Sequence, residues 1–548
     1  MAETIRLTID GKQVEVEKGT SVIEAARAAG VMPPHYCYHA GLTVAGNCRM
    51  CLVEIEKMPK LVTSCTTQAG DGMVVLTRSE KVKKGVAGVE EFLLANHPLD
   101  CPICDQAGEC RLQEYSFKYG NADSRFREHR MNFKKDVEVG PHVVLDSERC
   151  IMCTRCVRFC DEITRTGELG VFQRGLHNEI GIFPGRPLDN AYSGNVVDIC
   201  PVGALTLKEF RFRKRVWFIR DVPSVCGACA TGCNVNLGTN ENRIYRLTPR
   251  ENPSVNGWWM CDEGRLSYKP ALEAPRIANP EARAGSGLET IRLPDAAARV
   301  ADRLKSAGAA GAAIVASGNL TVEDLWIVRR LAAEAIPSLR SVVPERLRGT
   351  DDGFLIRADR TANRKGAELL GFDVDRGGTS TKSLLADAAA GRIATLLVLG
   401  EDISTLPGGG AALATLGKSG GLVVVGPFDG GSAPHAALRI PAAAYGEFEG
   451  TYVNVSGRAQ RVRRGLTARA AALPYWQVLS LVLGRLGVAA PYAAAPEILR
   501  EIAAAVPTFA GVTWTALRAS GMQLAVTGAP AEAPAPRGLP ARAGAARA

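Results

Sequence analysis

Sixteen cysteines, all lying between Cys37 and Cys261, constrain this chain more than any other feature. They fall into four tight groups. The first half therefore has a chemical task that the cysteine-free remainder does not share. The chain begins "MAETIRLTID", with no apolar core or cleavage site, so no secretory leader is expected. No run of about 18 apolar, charge-free residues is present, so no membrane span is expected. These features predict a cytosolic setting, where disulfides persist poorly and metal binding accounts better for so many thiols.

The first group is Cys37, Cys48, Cys51 and Cys65, spaced C-x10-C-x2-C-x13-C. Four thiolates with one tight pair suit a [2Fe-2S] centre. A zinc ribbon would need two C-x2-C knuckles, and only one is present. The second group, "NHPLDCPICDQAGEC", supplies three thiolates from Cys101, Cys104 and Cys110. A fourth ligand is wanted, and His97 and Asp100 are the nearest candidates. Imidazole replaces thiolate on iron in Rieske centres, so a Cys3His [4Fe-4S] site is feasible. A helix-end histidine unrelated to metal is the competing reading.

The third group, "CIMCTRCVRFC", is the C-x2-C-x2-C-x3-C run of bacterial ferredoxins. In such proteins the fourth cysteine serves a second cluster. Here the second run is reduced to "DICPVGAL". Cys150, Cys153, Cys156 and Cys200 can close one [4Fe-4S] site, which leaves Cys160 as a buried free thiol. The fourth group is Cys226, Cys229, Cys233 and Cys261, with small residues between them that let a loop wrap a cube. Four clusters need sixteen ligands. Fifteen cysteines plus His97 supply them.

At 548 residues the chain is expected to form about three to five domains. Alternating Ile5, Leu7 and Ile9, then Asp10-Gly11, then Val14 and Val16, predict a hairpin. Ser21 and Glu24 have capping-box spacing at the start of a helix. Hairpin, helix and cysteine loop together predict a β-grasp [2Fe-2S] ferredoxin-like domain over 1–80. Residues 81–138 read as a helical, charged His/Cys domain. Residues 139–215 read as a [4Fe-4S] ferredoxin-like domain, and 216–272 as a further [4Fe-4S] domain. From 273 to 526 the texture is Ala/Gly-rich α/β. "AAIVASGNLTVEDLWIVRRLAAEA" reads as strand, turn and helix, with Thr321 and Asp324 at capping-box spacing, and "IATLLVLGED" and "GLVVVGPFDG" read as buried parallel strands. The fold class is thus multidomain α+β followed by α/β, with a disordered Ala/Pro tail at 527–548. "LKEFRFRKRVWFIRD" reads as a strand with one solvated face. The formal net charge of +9 is too diffuse over this length to call for nucleic acid. No phosphate-binding loop and no catalytic constellation are visible.

The ordered motifs "YCYHAGLTVAGNCRMCLVEIE", "NHPLDCPICDQAGECRLQ", "CIMCTRCVRF", "SGNVVDICPVGALT" and "CGACATGCNV" resemble the large iron–sulfur (75-kDa) subunit family of NADH-quinone oxidoreductase, respiratory complex I. "ADRTANRKGAELLGF" and "EFEGTYVNVSGRAQRV" extend the likeness more weakly. The resemblance implies one [2Fe-2S] and three [4Fe-4S] clusters, with His97 a ligand of the second group. It implies that the fourth cluster lies off the main electron path. It implies that the C-terminal region is a reduced molybdopterin-oxidoreductase-like domain without molybdopterin. Partners would be the FMN/NADH-binding subunit and the quinone-side iron–sulfur subunits, in a peripheral arm on the cytoplasmic side of the bacterial inner membrane. The alternative is a subunit of an NAD-linked formate dehydrogenase or hydrogenase. A hydrogenase would need further cysteines after Cys261, and a molybdenum enzyme would need a pterin site.

Overall fold

The computed structural model describes residues 3–285, 287–518, 520–526 and 538–539. It divides into two compact units, 1–219 with 537–548, and 220–536. The Ala/Pro tail expected at 527–548 lies outside the described residues except Gly538 and Leu539. The Leu539 N–H donates to the Ile163 carbonyl (2.7 Å). Among the described residues no helix is long and apolar enough to cross a membrane.

The first unit opens with β1 (Thr4–Ile9) and β2 (Lys12–Glu17), paired antiparallel through Ile9↔Lys12. Asp10 (φ 47°) and Gly11 (φ 81°) take the left-handed conformations that a two-residue hairpin demands. Then come α1 (Val22–Ala28), β3 (Leu52–Ile55), β4 (Val62–Thr63) and β5 (Val74–Leu76). The sheet order is β2-β1-β5-β3-β4, with β1 and β5 parallel. Leu7, Ile9, Val22, Ala25, Val53 and Val75 form its core. The expected capping box at Ser21 is not made: Ser21 caps α1 without a side-chain bond. Glu24 is diverted instead to accept from the hydroxyl of Tyr38, next to Cys37.

Between 81 and 138 the expected helical character is only partly realised. α2 (Glu80–Ala95) and α3 (Arg111–Tyr119) are helices, and the chain between them is irregular. Pro98, Pro102 and Gly108 (φ 93°) break it, so that the cysteines lie on turns. β6 (Val137–Glu138), β7 (Val143–Leu145) and β10 (Leu205–Leu207) make a small sheet, and β8 (Leu169–Phe172) and β9 (Glu179–Ile182) a hairpin. Two short helices, α4 (Arg155–Arg158) and α5 (Asn195–Asp198), lead from one cysteine segment and toward another. The basic-aromatic run is not one strand. After β10 it turns, with Arg211 N–H on the Leu207 carbonyl and Phe212 at φ 62°, and becomes strand again only at Arg220.

The second unit begins with an antiparallel sheet of β11 (Arg220–Val225), β12 (Asn234–Asn240) and β13 (Arg243–Pro249), followed by α6 (Asp262–Leu266) and α7 (Lys269–Glu273). A hairpin, β14 (Glu281–Ala284) and β15 (Gly287–Thr290), precedes α8 (Leu293–Gly311) and β16 (Ala312–Ala316). Then follow α9 (Val322–Arg330), β17 (Arg340–Val342), α10 (Arg364–Leu369), α11 (Thr379–Ala389), β18 (Thr395–Leu399), α12 (Gly409–Ser419), β19 (Leu422–Gly426) and β20 (Leu438–Pro441). These strands build a seven-stranded sheet, β15-β14-β20-β19-β18-β16-β17. Its five strands from β20 to β17 are parallel, as the buried apolar runs predict, and the β14–β15 hairpin adds an antiparallel edge. The Thr321/Asp324 capping box forms at α9, with reciprocal bonds of 3.1 and 3.0 Å. β21 (Gly450–Val453), β22 (Arg458–Val462) and β23 (Met522–Gln523) form a third sheet in this unit. α13 (Tyr475–Arg485) and α14 (Ala495–Ala505) complete its helices among the described residues. Arg276 and Glu447 form a buried bidentate ion pair here (2.7 and 3.1 Å).

Candidate metal centres

The first group sits on the loop before β3 and the turn after β4. Its cysteines are neighbours in two pairs, Cys37 with Cys48 and Cys51 with Cys65. The hydrogen bond from Cys48 pulls the Cys37 thiol down to about 5 and pushes its partner up. Cys65 likewise pulls Cys51 to about 7 and is itself raised. Cys37, Cys51 and Cys65 are buried, and the Cys37 N–H donates to Cys48 Sγ (3.4 Å). Arg49, between Cys48 and Cys51, adopts φ 58°, which coils the loop without glycine.

The second group lines a cavity of about 450 Å³ between the end of α2 and the start of α3. His97, Cys101, Cys104 and Cys110 all face it, with Asp100, Arg149 and Gly203. His97 follows the last turn of α2, and its N–H donates to Leu94 (3.1 Å). Burial, then the Arg149 guanidinium, hold the half-buried ring down at about 4, so it is neutral at pH 7. A neutral imidazole is the ligating form. Asp100, the other candidate, is already committed: its Oδ2 accepts from Lys135 (2.6 Å) and Arg149 (2.9 Å). Burial raises the Cys110 thiol to about 11, and the backbone N–H groups of Gln113 and Leu112 pull the other way. A Cβ on Gly203 would stand 2.2 Å from Cys104 Sγ, so the chain just past Cys200 lies directly against the second group. The rim is open. Cys101 is exposed, and Leu99, Ile103 and Phe117 are 83%, 63% and 95% exposed.

In the third group, Cys150, Cys153, Cys156 and Cys200 line one small cavity with Leu145, Ile180, Val202 and Leu205. Met152 (φ 53°) and Thr154 (φ 59°) wind the segment that carries Cys150, Cys153 and Cys156, three positions apart, around the cavity they line. Burial raises Cys150 to about 12 and Cys153 to about 11, and the N–H groups of Val202, Leu205 and Ala204 oppose the rise at Cys200. Cys160 is fully buried one helical turn on, outside this cavity, and its thiol is pushed up to about 12 by burial and then Glu168.

In the fourth group, Cys226, Cys229, Cys233 and Cys261 are all buried. The Cys226 N–H donates to the Cys233 carbonyl (2.8 Å), and the Gly264 N–H to Cys261 Sγ (3.3 Å). A Cβ at Gly264 would lie 3.1 Å from Cys226 Sγ and 3.3 Å from Cys261 Sγ, so glycine there brings bare backbone tight against both sulfurs. Burial raises the Cys226 thiol to about 12.

Among the described residues no three His, Cys, Asp or Glu side chains converge closely enough to share a single metal ion. Pairs of sulfurs, or four donors spread round a cavity, suit a polynuclear group whose irons take different ligands. The motif spacing singles out the thiols. It does not identify Gly203, Gly264, Ser64 (whose Oγ donates to the Cys51 carbonyl, 2.9 Å) or the arginines of the third group. Of these, only the cations inside "CTRCVRFC" left a trace in the sequence.

Family models match four successive segments: a 2Fe-2S iron–sulfur cluster binding domain (2–80), an NADH-ubiquinone oxidoreductase-G iron–sulfur binding region (87–125), an NADH-quinone oxidoreductase subunit 3 ferredoxin-like domain (140–206) and a molybdopterin oxidoreductase Fe4S4 domain (219–271). The chain thus carries 2Fe-2S and 4Fe-4S binding domains. More particularly, it is a homologue of the G subunit of NADH-quinone oxidoreductase. It is 44% identical to that protein of Rickettsia bellii over 302 residues, covering 55% of this chain and 44% of the relative. It is 41% identical to that of Rickettsia felis, covering 60% and 48%. It is also 41% identical to the mitochondrial NADH-ubiquinone oxidoreductase 78 kDa subunit of Candida albicans, covering 61% and 47%. The chain spans about half the length of these curated relatives. Among solved structures it is similar to an NAD+-reducing [NiFe]-hydrogenase (31% identity, TM-score 0.35, 39% of this chain and 91% of that one). It is also similar to acetylene hydratase from Pelobacter acetylenicus (9%, TM-score 0.38, 55% and 74%). At these scores neither bears on the fold.

Proposed function

We propose that this chain is an electron-carrying subunit of a proton-translocating NADH-quinone oxidoreductase. In this reading it takes electrons from an FMN/NADH-binding subunit and hands them to quinone-side iron–sulfur subunits, in a peripheral arm on the cytoplasmic side of the membrane. Cys37/Cys48 and Cys51/Cys65 would each hold one iron of a [2Fe-2S] cluster. His97 with Cys101, Cys104 and Cys110, then Cys150, Cys153, Cys156 and Cys200, then Cys226, Cys229, Cys233 and Cys261 would hold three [4Fe-4S] clusters. When bound, these groups supply one-electron carriage. The protein's part is to set their spacing, exclude water and adjust their charge. Residues 273–526 act in this reading as a molybdopterin-oxidoreductase-like domain without its cofactor.

The observation that carries the proposal is the partition of the donors. All sixteen fall into four groups of four, and Cys160 alone stands outside. Iron, acid-labile sulfide, zinc and molybdenum assays with EPR on anaerobically purified protein test it. About 14 iron per chain with neither zinc nor molybdenum is expected. Zinc without iron overturns the proposal, and stoichiometric molybdenum favours the formate dehydrogenase alternative. His97→Cys adds a negative ligand to the second group. Its midpoint should fall on the order of 100 mV in a redox-titrated EPR experiment. An unchanged spectrum and midpoint would remove His97 from the ligand set.

A further inference from the structure

Arg155 sits between two cysteines of the third group and is only 4% exposed. Among the residues that line that group's cavity, cysteines apart, it is the one charged side chain. Its Nη1 donates to the Ile199 carbonyl (3.0 Å), beside Cys200, and its Nη2 to the Tyr38 carbonyl, beside Cys37. Its Nε–H is buried with no acceptor among the described residues. Among those residues no carboxylate pairs with it either. Arg149, near the second group, is by contrast neutralised by Asp100 (2.9 Å) and Asp146 (3.3 Å). Arg158, one turn on, repeats the pattern: it donates to the Cys37 carbonyl (2.6 Å) and the Thr43 carbonyl, and its own Nε is orphaned among the described residues.

A buried guanidinium without a counter-ion is costly, and a buried N–H without an acceptor adds to the cost. The two carbonyls solvate the guanidinium in part, but among the described residues they leave it without a counter-charge and its Nε–H without an acceptor. A thiolate-ligated cluster at the third group would meet both, because it brings net negative charge and sulfur acceptors into the cavity that Arg155 lines. We infer that Arg155 is the resident counter-charge of the third group, a positioning residue that favours its reduced state and ties its loop to that of the first group. This rests on the cluster assignment above. Reduction adds one electron, and so one negative charge, to a site facing a fixed cation. Removing the cation makes that electron harder to add. The second group, whose nearby arginine is already paired, should be indifferent.

The test is redox-titrated EPR of the full chain, with dithionite as reductant and iron and sulfide measured on each sample. In Arg155→Gln and Arg155→Met the reduced-to-oxidised ratio of the third group, at the wild-type midpoint, should fall about tenfold, which for a one-electron couple is 59 mV. The second group's signal should not move. Arg155→Lys keeps the charge and loses the two-carbonyl bridge, so its third-group midpoint should stay within about twofold in that ratio. Full iron with an unmoved midpoint in the neutral variants overturns the inference alone. An equal fall in Arg155→Lys shows that the bridge, not the charge, matters, and also overturns it. If the neutral variants fail to hold iron, Arg155→Lys decides by itself. Wild-type protein without a third cluster defeats the underlying assignment instead.

Discussion

Gly203→Ala is expected, on the proposed cluster assignment, to expel iron from the second group while leaving the iron-free chain folded. The new methyl would stand 2.2 Å from Cys104 Sγ and 3.1 Å from Gln106 Cβ. In the unloaded protein a thiol at the end of a rotatable side chain swings aside at little cost. Gly203 is not among the glycines with positive φ, so alanine meets no backbone penalty and trims unfolded-state entropy, worth about 0.4–1 kcal/mol in its favour. Once Cys104 is bound to iron its sulfur cannot turn away. Overlap must then displace either the ligand or the turn between Cys200 and β10. The expected loss is about four of some 14 irons per chain, with the second group's EPR signal gone and the apo-protein melting temperature unchanged or slightly higher. Full iron content with an unaltered signal would show that the two segments separate freely, and would remove the claimed contact between the second and third groups.

Glu447→Ala is expected to destabilise the second unit by about 3–5 kcal/mol. The Glu447 side chain is 2% exposed and Arg276 10%. Besides the two bonds to Arg276, Glu447 accepts from the Ala444 N–H (2.8 Å). Truncation leaves a buried guanidinium and a backbone donor without their acceptor. Among the described residues Arg276 keeps the Pro427 carbonyl (3.0 Å), a weak bond to Ala271 (3.4 Å) and the face of the Phe428 ring (5.8 Å to its centroid), none of which is an anion. The penalty belongs to the stranded charge more than to the lost attraction, which gives a second measurement. Arg276→Met combined with Glu447→Leu should cost clearly less than Glu447→Ala alone. Denaturant titrations following the transition of residues 220–526 compare the two. A single-variant cost below about 1 kcal/mol would mean that water reaches the pair.

Short-range features were legible in the residues. Asp10-Gly11 forms the hairpin turn it predicts, Thr321 and Asp324 cap α9, and the apolar runs at β18 and β19 become buried parallel strands. In each case the energetic preference is settled within a few positions. Failures came where a distant group competed. Glu24 was lost to Tyr38, so the Ser21 box did not close. The helical reading of 81–138 missed how far Pro98, Pro102 and Gly108 divert the chain around the His97 cavity. Arg49, Met152 and Thr154 take left-handed conformations that a search for glycine cannot find, because the surrounding loops impose them. The contact of Arg155 with the Tyr38 carbonyl spans 117 positions. Spacing proposes which thiols belong together. It does not show which cation or which bare backbone stands behind them.

The open rim around Cys101 has a practical corollary. Of the four groups, the second has the least shelter, and its edge is flanked by greasy side chains turned to water. If the four groups hold clusters as proposed, dissolved oxygen would reach this one before the other three, so bleaching in air should proceed in a set order that starts there. On the proposed assignment the same geometry would put a deadline on maturation: a newly loaded chain would have to be covered before it met an oxidant or a second sticky copy of itself.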